Sequence, residues 1–429
     1  MPTTDIERRA RIRHRVRSVG LIDQLGPGLV TGAADDDPSG IATYSQAGAQ
    51  YGYGLLWTML LTYPLMAAVQ LVSAQIGRVT GRGLAHNMGE VLPRFLVILI
   101  VAALFIANTI NIGADLAAMG AASQLALGAN AHIMTVVFAL LSLGLQIFVP
   151  YRRYSSLLKW LTLVLFAYAA LLFVVHLDWR GIGEGLVIPR IAGTGALTTI
   201  VAVLGTTISP YLFFWQSAQE VEEIDEDKKQ EPLIEAPRQA RYHLRRLRLD
   251  TFTGMAFSNL IALAIMIGTA ATLHAAGKTS INTAADAARA LEPIAGHFAF
   301  LIFSLGIMGT GLLAVPVLAG SAAYAIGESQ GWNTGLNEKP WEATGFYAVI
   351  GAATLLGIGM DWSPLDPIRL LFWSAVINGV VAAPIMAALM FIVSRRNPMG
   401  HFLAPAWLRI LGWIATIVMA AAAIAMIVL

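Results

Sequence analysis

Eleven apolar runs, each long enough to cross a lipid bilayer as a helix, divide this sequence of 429 residues. A membrane-spanning helix needs about 20 predominantly apolar residues. With 57% hydrophobic and 13% charged residues, the chain has too little polar surface to coat a soluble protein of this size. We therefore predict an all-α integral membrane protein with spans at about 21–47, 54–77, 95–121, 131–150, 157–176, 195–219, 250–274, 297–327, 344–360, 367–393 and 410–429.

The basic residues lie mainly on one side of this eleven-span topology. Cytoplasmic loops of membrane proteins carry an excess of Lys and Arg. With a cytoplasmic N-terminus, 23 of the 28 Lys and Arg residues fall in the N-terminal tail or in segments that follow even-numbered spans. The pattern predicts a basic cytoplasmic tail over residues 1–20, one transmembrane domain over 21–429, and a C-terminus outside.

The segment "DDDPSG" at residues 35–40 places three consecutive carboxylates inside the first apolar run. A charge in the membrane interior is costly unless it is paired or hydrated, so the segment indicates a cation site. Successive helical residues point about 100° apart, and three adjacent acids can face one ion only where the helix is unwound. We expect either Asp35 or Asp36 to form hydrogen bonds inside the bundle instead.

The sixth run carries "LGTTISPYLFF" at residues 204–214. Proline removes a backbone donor and clashes with the preceding turn, so we predict that spans one and six both break at mid-membrane. Interrupted spans at equivalent positions in two halves are typical of inverted-repeat transporters with the site between them. The predicted halves cover about 21–176 and 195–393, followed by an extra helix at 410–429.

The segment "GPGLVTGAADDDPSGIATYSQAGAQYGYGLLW" resembles the first span and following loop of the Nramp family of divalent metal-ion transporters. "GTTISPYLFFWQSAQ" is similar to the family's sixth span, and the likeness continues through "NTINIGADLAAMGAA" in the third. The resemblance covers most of the chain from Gly26. It implies a LeuT-like core of five plus five spans with one extra span. It also implies a carrier in the inner (plasma) membrane of a bacterium.

In that family, an Asp and an Asn of span one, a Met of span six and a backbone carbonyl three residues before the Met form the ion site. The resemblance therefore implies that Asp37, the carbonyl of Thr206 and Ser209 are the metal ligands here. The Ser209 hydroxyl has an alternative role, a hydrogen bond to a carbonyl of its own helix. The resemblance places five further residues along the site: Asp36, Gly40, Tyr211, Gln216 and Ala382.

Two exchanges at the site favour a hard cation. Ser209 stands where the family has Met, and thioether sulfur favours softer transition metals. Gly40 stands where the family has Asn, and both exchanges are expected to leave room for water, which Mg²⁺ sheds reluctantly. We predict transport of Mg²⁺ and also of Mn²⁺, which resembles the Nramp-related magnesium transporter branch.

Proton coupling is expected to be weak or absent. Asp115 keeps the first acid of the family's span-three pair and is the candidate for a proton path, but Ala118 replaces the second. Another carboxylate, such as Asp36 or Glu220, is the alternative relay. The remaining intramembrane amides are expected to join helices rather than to bind metal: Asn108, Asn111, Asn259 and Asn378.

The loop at 220–248 changes from acidic to basic along its length. Three roles stay open for it. In the first, the loop caps the intracellular mouth of the transporter. In the second, its basic half binds anionic lipid. In the third, it is a solvated connector without a further role.

The function classes that remain are all tied to the membrane. No phosphate-binding glycine motif, nucleophile with an adjacent base or nucleic-acid module is found, so we expect neither an enzyme nor a nucleic-acid partner. We also expect no cofactor, because the divalent cation is the cargo. The lipid bilayer is the expected surrounding of the protein, and no obligate protein partner is evident. The alternative to a metal carrier is a carrier of a small organic solute that has lost the metal site, and a non-transporting sensor is a third hypothesis.

Overall fold

A computed structural model of the chain describes residues 31–32, 34–149, 161–191, 193–227, 230–362 and 365–428. Regular secondary structure in these ranges is helical, without a strand. Nine helices in this part of the chain are long and apolar enough to cross a membrane, and they follow the second to fourth and sixth to eleventh predicted spans in order. The prediction of an all-α membrane protein is confirmed.

The first and fifth predicted spans are described only in part. The tail at 1–20, residues 21–30 of the first span and residues 157–160 of the fifth lie outside the described residues. The described portions are largely helical. The total of eleven spans therefore stays a prediction.

The α-helices are numbered here in chain order. They are α1 Pro38–Tyr51, α2 Trp57–Thr80, α3 Leu84–Val91, α4 Arg94–Leu127, α5 Ala131–Phe148, α6 Phe166–Leu171, α7 Trp179–Val187, α8 Gly193–Thr207, α9 Pro210–Glu226, α10 Ala240–Thr269, α11 Ala284–Ala288, α12 Glu292–Ala295, α13 Ala299–Gln330, α14 Thr344–Gly359, α15 Pro367–Val393, α16 Arg396–Met399 and α17 Ala406–Val428.

The helices differ in how deeply they are buried. In the broken helix Gly195–Glu226, 89% of the most apolar segment is buried, whereas the corresponding share is 28% in α5, in Thr344–Trp362 and in α17. A helix that is apolar all round but exposed in the protein is covered by lipid. The broken helix is therefore central, and α5, α14 and α17 lie at the lipid-facing periphery.

Both predicted helix breaks are present, and they follow the same local rule. Asp37 (φ −70°, ψ 170°) precedes Pro38, the first residue of α1. Ser209 (φ −73°, ψ 125°) precedes Pro210, the first residue of α9. Proline disfavours helical backbone at the residue before it but fits the first helical position. Each X-Pro pair therefore interrupts one helix and starts the next.

Small residues let the helix before the second break approach α15 closely. A Cβ atom added to Gly205 would lie 2.1 Å from the carbonyl oxygen of Ala375 and 2.4 Å from the backbone nitrogen of Gly379. Close backbone approach at small residues is a common way for membrane helices to pack. Gly205 thus fixes the position of the α8 end, next to the second break.

We predict that Gly205→Ala destabilises the protein by about 1–3 kcal/mol, because the added methyl group overlaps the backbone of α15. The matched control is Gly351→Ala in α14, where an added Cβ meets nothing within 4 Å. Thermal unfolding of both purified variants in detergent measures the difference. Equal midpoints for the two variants would contradict the close approach of α8 and α15.

Candidate metal site at the two helix breaks

Asp37 lies at the first helix break and is 2% exposed. Its Oδ1 accepts a hydrogen bond from the backbone N–H of Gly40 at 2.7 Å. Its Oδ2 accepts from the Asn111 side-chain amide at 3.1 Å and lies 3.4 Å from the Tyr211 hydroxyl. One carboxylate oxygen therefore caps α1, and the other faces side chains of α4 and α9.

The second break lies beside the first. The Tyr44 and Thr207 hydroxyls are 3.0 Å apart and join α1 to the end of α8. The Ser209 hydroxyl donates to the carbonyl oxygen of Thr206 at 2.6 Å and is 3.2 Å from that of Gly205. The hydrogen bond to its own helix, one of the two roles considered for Ser209, is thus the one formed in this conformation. The Thr206 carbonyl keeps a second lone pair.

Gly40 is closely surrounded by side chains in this conformation, and room for water at the ion stays a prediction. A Cβ atom on Gly40 would lie 3.2 Å from the Thr206 hydroxyl oxygen and 3.3 Å from the Tyr44 ring. These distances are tight for a carbon contact, because the neighbouring side chains of α8 and α1 already fill the space. Gly40 therefore permits close packing of the two broken helices.

Asp35 and Asp36 both turn away from Asp37 and towards α10. The Ser258 hydroxyl lies 2.6 Å from Asp35 Oδ2 and 3.1 Å from Asp36 Oδ1, so one hydroxyl proton serves two carboxylates. Asp35 Oδ1 and Asp36 Oδ2 are buried without a hydrogen-bond partner among the described residues. Asp36, which is predicted to line the site, therefore has the same hydrogen-bond partner as Asp35, the Ser258 hydroxyl.

Two of the amides predicted to join helices, Asn111 and Asn378, do so beside Asp37. Asn111 bridges Asp37 and Asp115, since its amide nitrogen is 3.1 Å from Asp37 Oδ2 and 3.3 Å from Asp115 Oδ2. Asn378 of α15 donates to Asn111 Oδ1 at 3.4 Å. The sequence did contain a signal for Asn111, because a residue four positions before Asp115 lies on the same helix face.

The remaining predicted site residues differ in how they are linked to Asp37. Asp115, the predicted proton-path residue, reaches it through Asn111. Gln216 instead accepts a hydrogen bond from Thr31 at 2.5 Å, on the segment before the break. Ala382 is buried one turn of α15 beyond Asn378. The polar side chain that α15 brings to the site is thus Asn378.

Asn108 and Asn259 do join helices, as predicted. Asn108 donates to the Leu318 carbonyl oxygen of α13 at 2.9 Å, and Asn259 donates to the Met59 carbonyl oxygen of α2 at 3.2 Å. Hydrogen bonds of this kind stabilise contacts between membrane helices.

The acidic and basic parts of the segment 220–248 pair with each other. Arg246 of α10 forms an ion pair with Glu220 of α9 at 3.0 Å and a second one with Glu223. Glu220, the alternative proton relay, is fully buried in this contact. The pairing ties the ends of α9 and α10 together, and the three roles of the segment stay predictions.

Two contacts of Arg78 join α2 to the same region. The Arg78 guanidinium donates to Gln230 Oε1 at 2.5 Å and is 2.9 Å from His243 Nε2. We call Arg78, Glu220, Glu223, His243 and Arg246 the inner polar cluster.

Comparison with known families and proteins matches most of this chain. The family model described as natural resistance-associated macrophage protein-like, or Nramp, matches residues 28–429. The divalent metal cation transporter MntH of Klebsiella pneumoniae strain 342 is 29% identical over 403 residues, which cover 91% of this chain and 90% of that protein. MntH of Deinococcus radiodurans is 26% identical over 408 residues, which cover 92% and 87%.

Solved structures show the same fold. The manganese transporter of Eremococcus coleocola, in complex with an aromatic bis-isothiourea substituted compound, has a TM-score of 0.73 at 17% identity and covers 99% of this chain and 87% of that chain. Mhp1, a nucleobase-cation-symport-1 family transporter in a closed conformation, has a TM-score of 0.53 at 13% identity, with 93% and 92% covered. Such low identities support the fold alone, that of an all-α membrane transporter.

The Asp37 carboxylate caps α1 through Oδ1 and faces α4 and α9 through Oδ2, and substitution can separate these two roles. Asn is about as good a helix cap as Asp, whereas Ala at this position costs about 0.5–2 kcal/mol. We predict that Asp37→Ala lowers the free energy of unfolding by that amount, and that Asp37→Asn keeps the cap and most of the stability. Thermal unfolding in detergent compares the two with the wild type. If both variants are destabilised alike, the hydrogen bond to Gly40 does not stabilise the break.

Proposed function

Because this chain belongs to the Nramp family, we propose that it is a secondary transporter that carries divalent metal cations across the membrane by alternating access. Related proteins that cover about nine-tenths of the chain are named divalent metal cation transporters. Which divalent cation this chain carries is inferred from its own residues.

The observation that carries the proposal is the position of Asp37. Its Oδ2 faces the amide of Asn111 and the hydroxyl of Tyr211, beside the second break at Ser209. A buried carboxylate in the membrane interior marks an ion or proton pathway, and unwound backbone between helix halves supplies carbonyl ligands. We propose that the cation binds at Asp37 Oδ2, with the carbonyl of Thr206 as a further ligand.

An amide oxygen from another helix completes this proposed site. In the family the amide comes from span one, where this chain has Gly40. Here the amide next to Asp37 is Asn111 of α4. Rotation of its side-chain amide turns the oxygen towards Asp37 Oδ2, and the nitrogen then faces Asn378. The Asn378 amide must rotate as well, so that its Oδ1, which has no partner among the described residues, accepts from Asn111. Asn111 thus offers a neutral oxygen ligand without any change in backbone position.

We propose Mg²⁺ and Mn²⁺ as the transported ions. The groups around Asp37 Oδ2 offer carboxylate, amide and hydroxyl oxygens, and Ser209 stands where a thioether would favour softer metals. Oxygen ligands suit hard cations, and Mg²⁺ is bound through few carboxylates with retained water.

The outer groove is our name for a cavity of about 260 Å³ lined by Gln46 and Gln50 of α1, by Asn282, and by Arg369 and Trp373 of α15. Its lining residue nearest the start of α1 is Ala42, about one turn beyond the helix start. The opposite ends of α9 and α10 are held by the inner polar cluster. We propose that a cation enters through the outer groove and leaves after Arg246 separates from Glu220 and Glu223.

Competition between metals tests the ion selectivity. In proteoliposomes, Mg²⁺ is expected to reduce Mn²⁺ uptake measurably, and Cd²⁺ is expected to compete poorly, because oxygen ligands disfavour soft ions. Ser209→Met should shift competition towards Cd²⁺. Its matched control is Ser329→Met, since the Ser329 hydroxyl also donates to the carbonyl three residues before it, at 2.8 Å. Asp37→Asn should abolish uptake.

Three outcomes would decide against this proposal. A wild type that prefers Cd²⁺ to Mg²⁺ by a wide margin contradicts a hard-cation site. Normal uptake by Asp37→Asn shows that the ion binds elsewhere. Absence of transport or competition for every divalent cation supports the carrier of an organic solute.

We further propose that uptake is not coupled to protons, because Ala118 occupies the position of the second acid in span three. A pH-sensitive dye inside the liposomes should report the same internal pH with and without Mn²⁺ influx. Liposomes without protein and liposomes treated with a protonophore are the controls. Acidification that follows metal influx would show a working relay, and its loss in Glu220→Gln would assign that relay to Glu220.

A further inference from the structure

A membrane-facing groove beside α17 takes no part in the proposed transport site. Its volume is about 370 Å³, within the range of about 300–1,000 Å³ found for small-ligand sites. Ser394, at the end of α15, forms one wall, and Arg409, Trp413 and three isoleucines of α17 form the other. The groove is thus polar at one end and apolar along the rest.

An arginine forms the polar end of the groove. Arg409 lines it, and its Nε is buried on the protein side without a hydrogen bond to a described residue, so the outer NH groups of the guanidinium are the ones that can meet a ligand. The planar guanidinium matches the oxygens of a phosphate group, and the Ser394 hydroxyl on the facing wall adds a second donor.

The apolar part follows one face of α17. Ile410, Ile414 and Ile417 are 59%, 41% and 63% exposed and are spaced as neighbours on a helix surface. They cover about 10 Å of helix length, at 1.5 Å per residue. Trp413 packs edge-on against Phe391 of α15 with ring centroids 5.4 Å apart and closes the side of the groove.

The surroundings of the groove are basic and aromatic. Arg395 and Arg396 follow Ser394 directly in the chain. The Arg248 guanidinium lies 5.9 Å from the ring centroid of Trp407, at the start of α17. Tryptophan is enriched at membrane interfaces, and basic residues are attracted to the anionic lipids of the cytoplasmic leaflet. This end of the molecule is also the one that the charge distribution predicts to be cytoplasmic.

We propose that this groove binds one anionic phospholipid of the cytoplasmic leaflet. Its phosphate lies between Arg409 and Ser394, and one acyl chain lies along the three isoleucines. The lipid fills the space between the end of α15 and α17. This inference does not depend on which cation the protein carries.

Native mass spectrometry of the full-length protein in mild detergent tests the proposal, with phosphatidylglycerol and phosphatidylcholine as the added lipids. We expect the wild type to retain one phosphatidylglycerol more tightly than phosphatidylcholine. Arg409→Gln should weaken phosphatidylglycerol retention about fivefold, the typical effect of one basic residue at a membrane surface. Arg409→Lys should restore part of it.

Two further variants separate charge from shape. Ile414→Trp fills the apolar part without changing charge and should also weaken retention. Arg180→Gln removes an arginine of α7 whose side chain is 90% exposed and paired with Glu184, and it should leave retention unchanged. Equal retention of phosphatidylglycerol by wild type, Arg409→Gln and Ile414→Trp would overturn the proposal. So would equal retention of the two lipids by the wild type. If Arg409→Gln does not fold, the retention of phosphatidylglycerol by Ile414→Trp tests the proposal instead.

Discussion

The hydrogen bond from the backbone N–H of Gly40 to Asp37 Oδ1 holds the carboxylate at the point where the first helix breaks. It occupies one oxygen and turns the other, Oδ2, towards Asn111 and Tyr211. The orientation of the Asp37 carboxylate is therefore set in part by the backbone. In the proposed site the carboxylate oxygen is already in position, and the group that must reorganise on cation binding is the amide of Asn111.

Four buried acids surround this point, and the fold distributes them over different partners. Asp35 and Asp36 share the hydroxyl of Ser258 in α10, whereas Asp115 is joined to Asp37 through Asn111. Charge is costly in a membrane interior, so the charged forms of acids this close together need hydrogen bonds or a cation to stabilise them. A divalent cation bound at Asp37 would stabilise the charged form of that carboxylate.

The two ends of the molecule differ in what closes them. On the side of α9 and α10, ion pairs of Arg246 with Glu220 and Glu223 hold two helices together in a buried position. On the opposite side, hydrogen bonds join the residues that line the outer groove: Gln46 Oε1 accepts from the Ile281 N–H at 2.9 Å, and Arg369 donates to Asn282 Oδ1 at 2.8 Å. Buried ion pairs are costly to break singly, since each charge left behind loses its partner. Because both pairs share Arg246, separating α10 from α9 breaks them together.

The sequence by itself determined the all-α membrane architecture, the places of both breaks and Asp37 as the acid at the first break, because apolar run length and X-Pro chemistry act on neighbouring residues. The tertiary structure alone decided which groups meet at Asp37. It brought Asn111 rather than a span-one amide to the carboxylate, presented Asn378 instead of Ala382, filled the space at Gly40 with Thr206 and Tyr44, and placed Asp35 and Asp36 together on Ser258. These contacts join residues that are far apart in the chain. They depend on the rotation and register of packed helices, which local sequence rules do not specify.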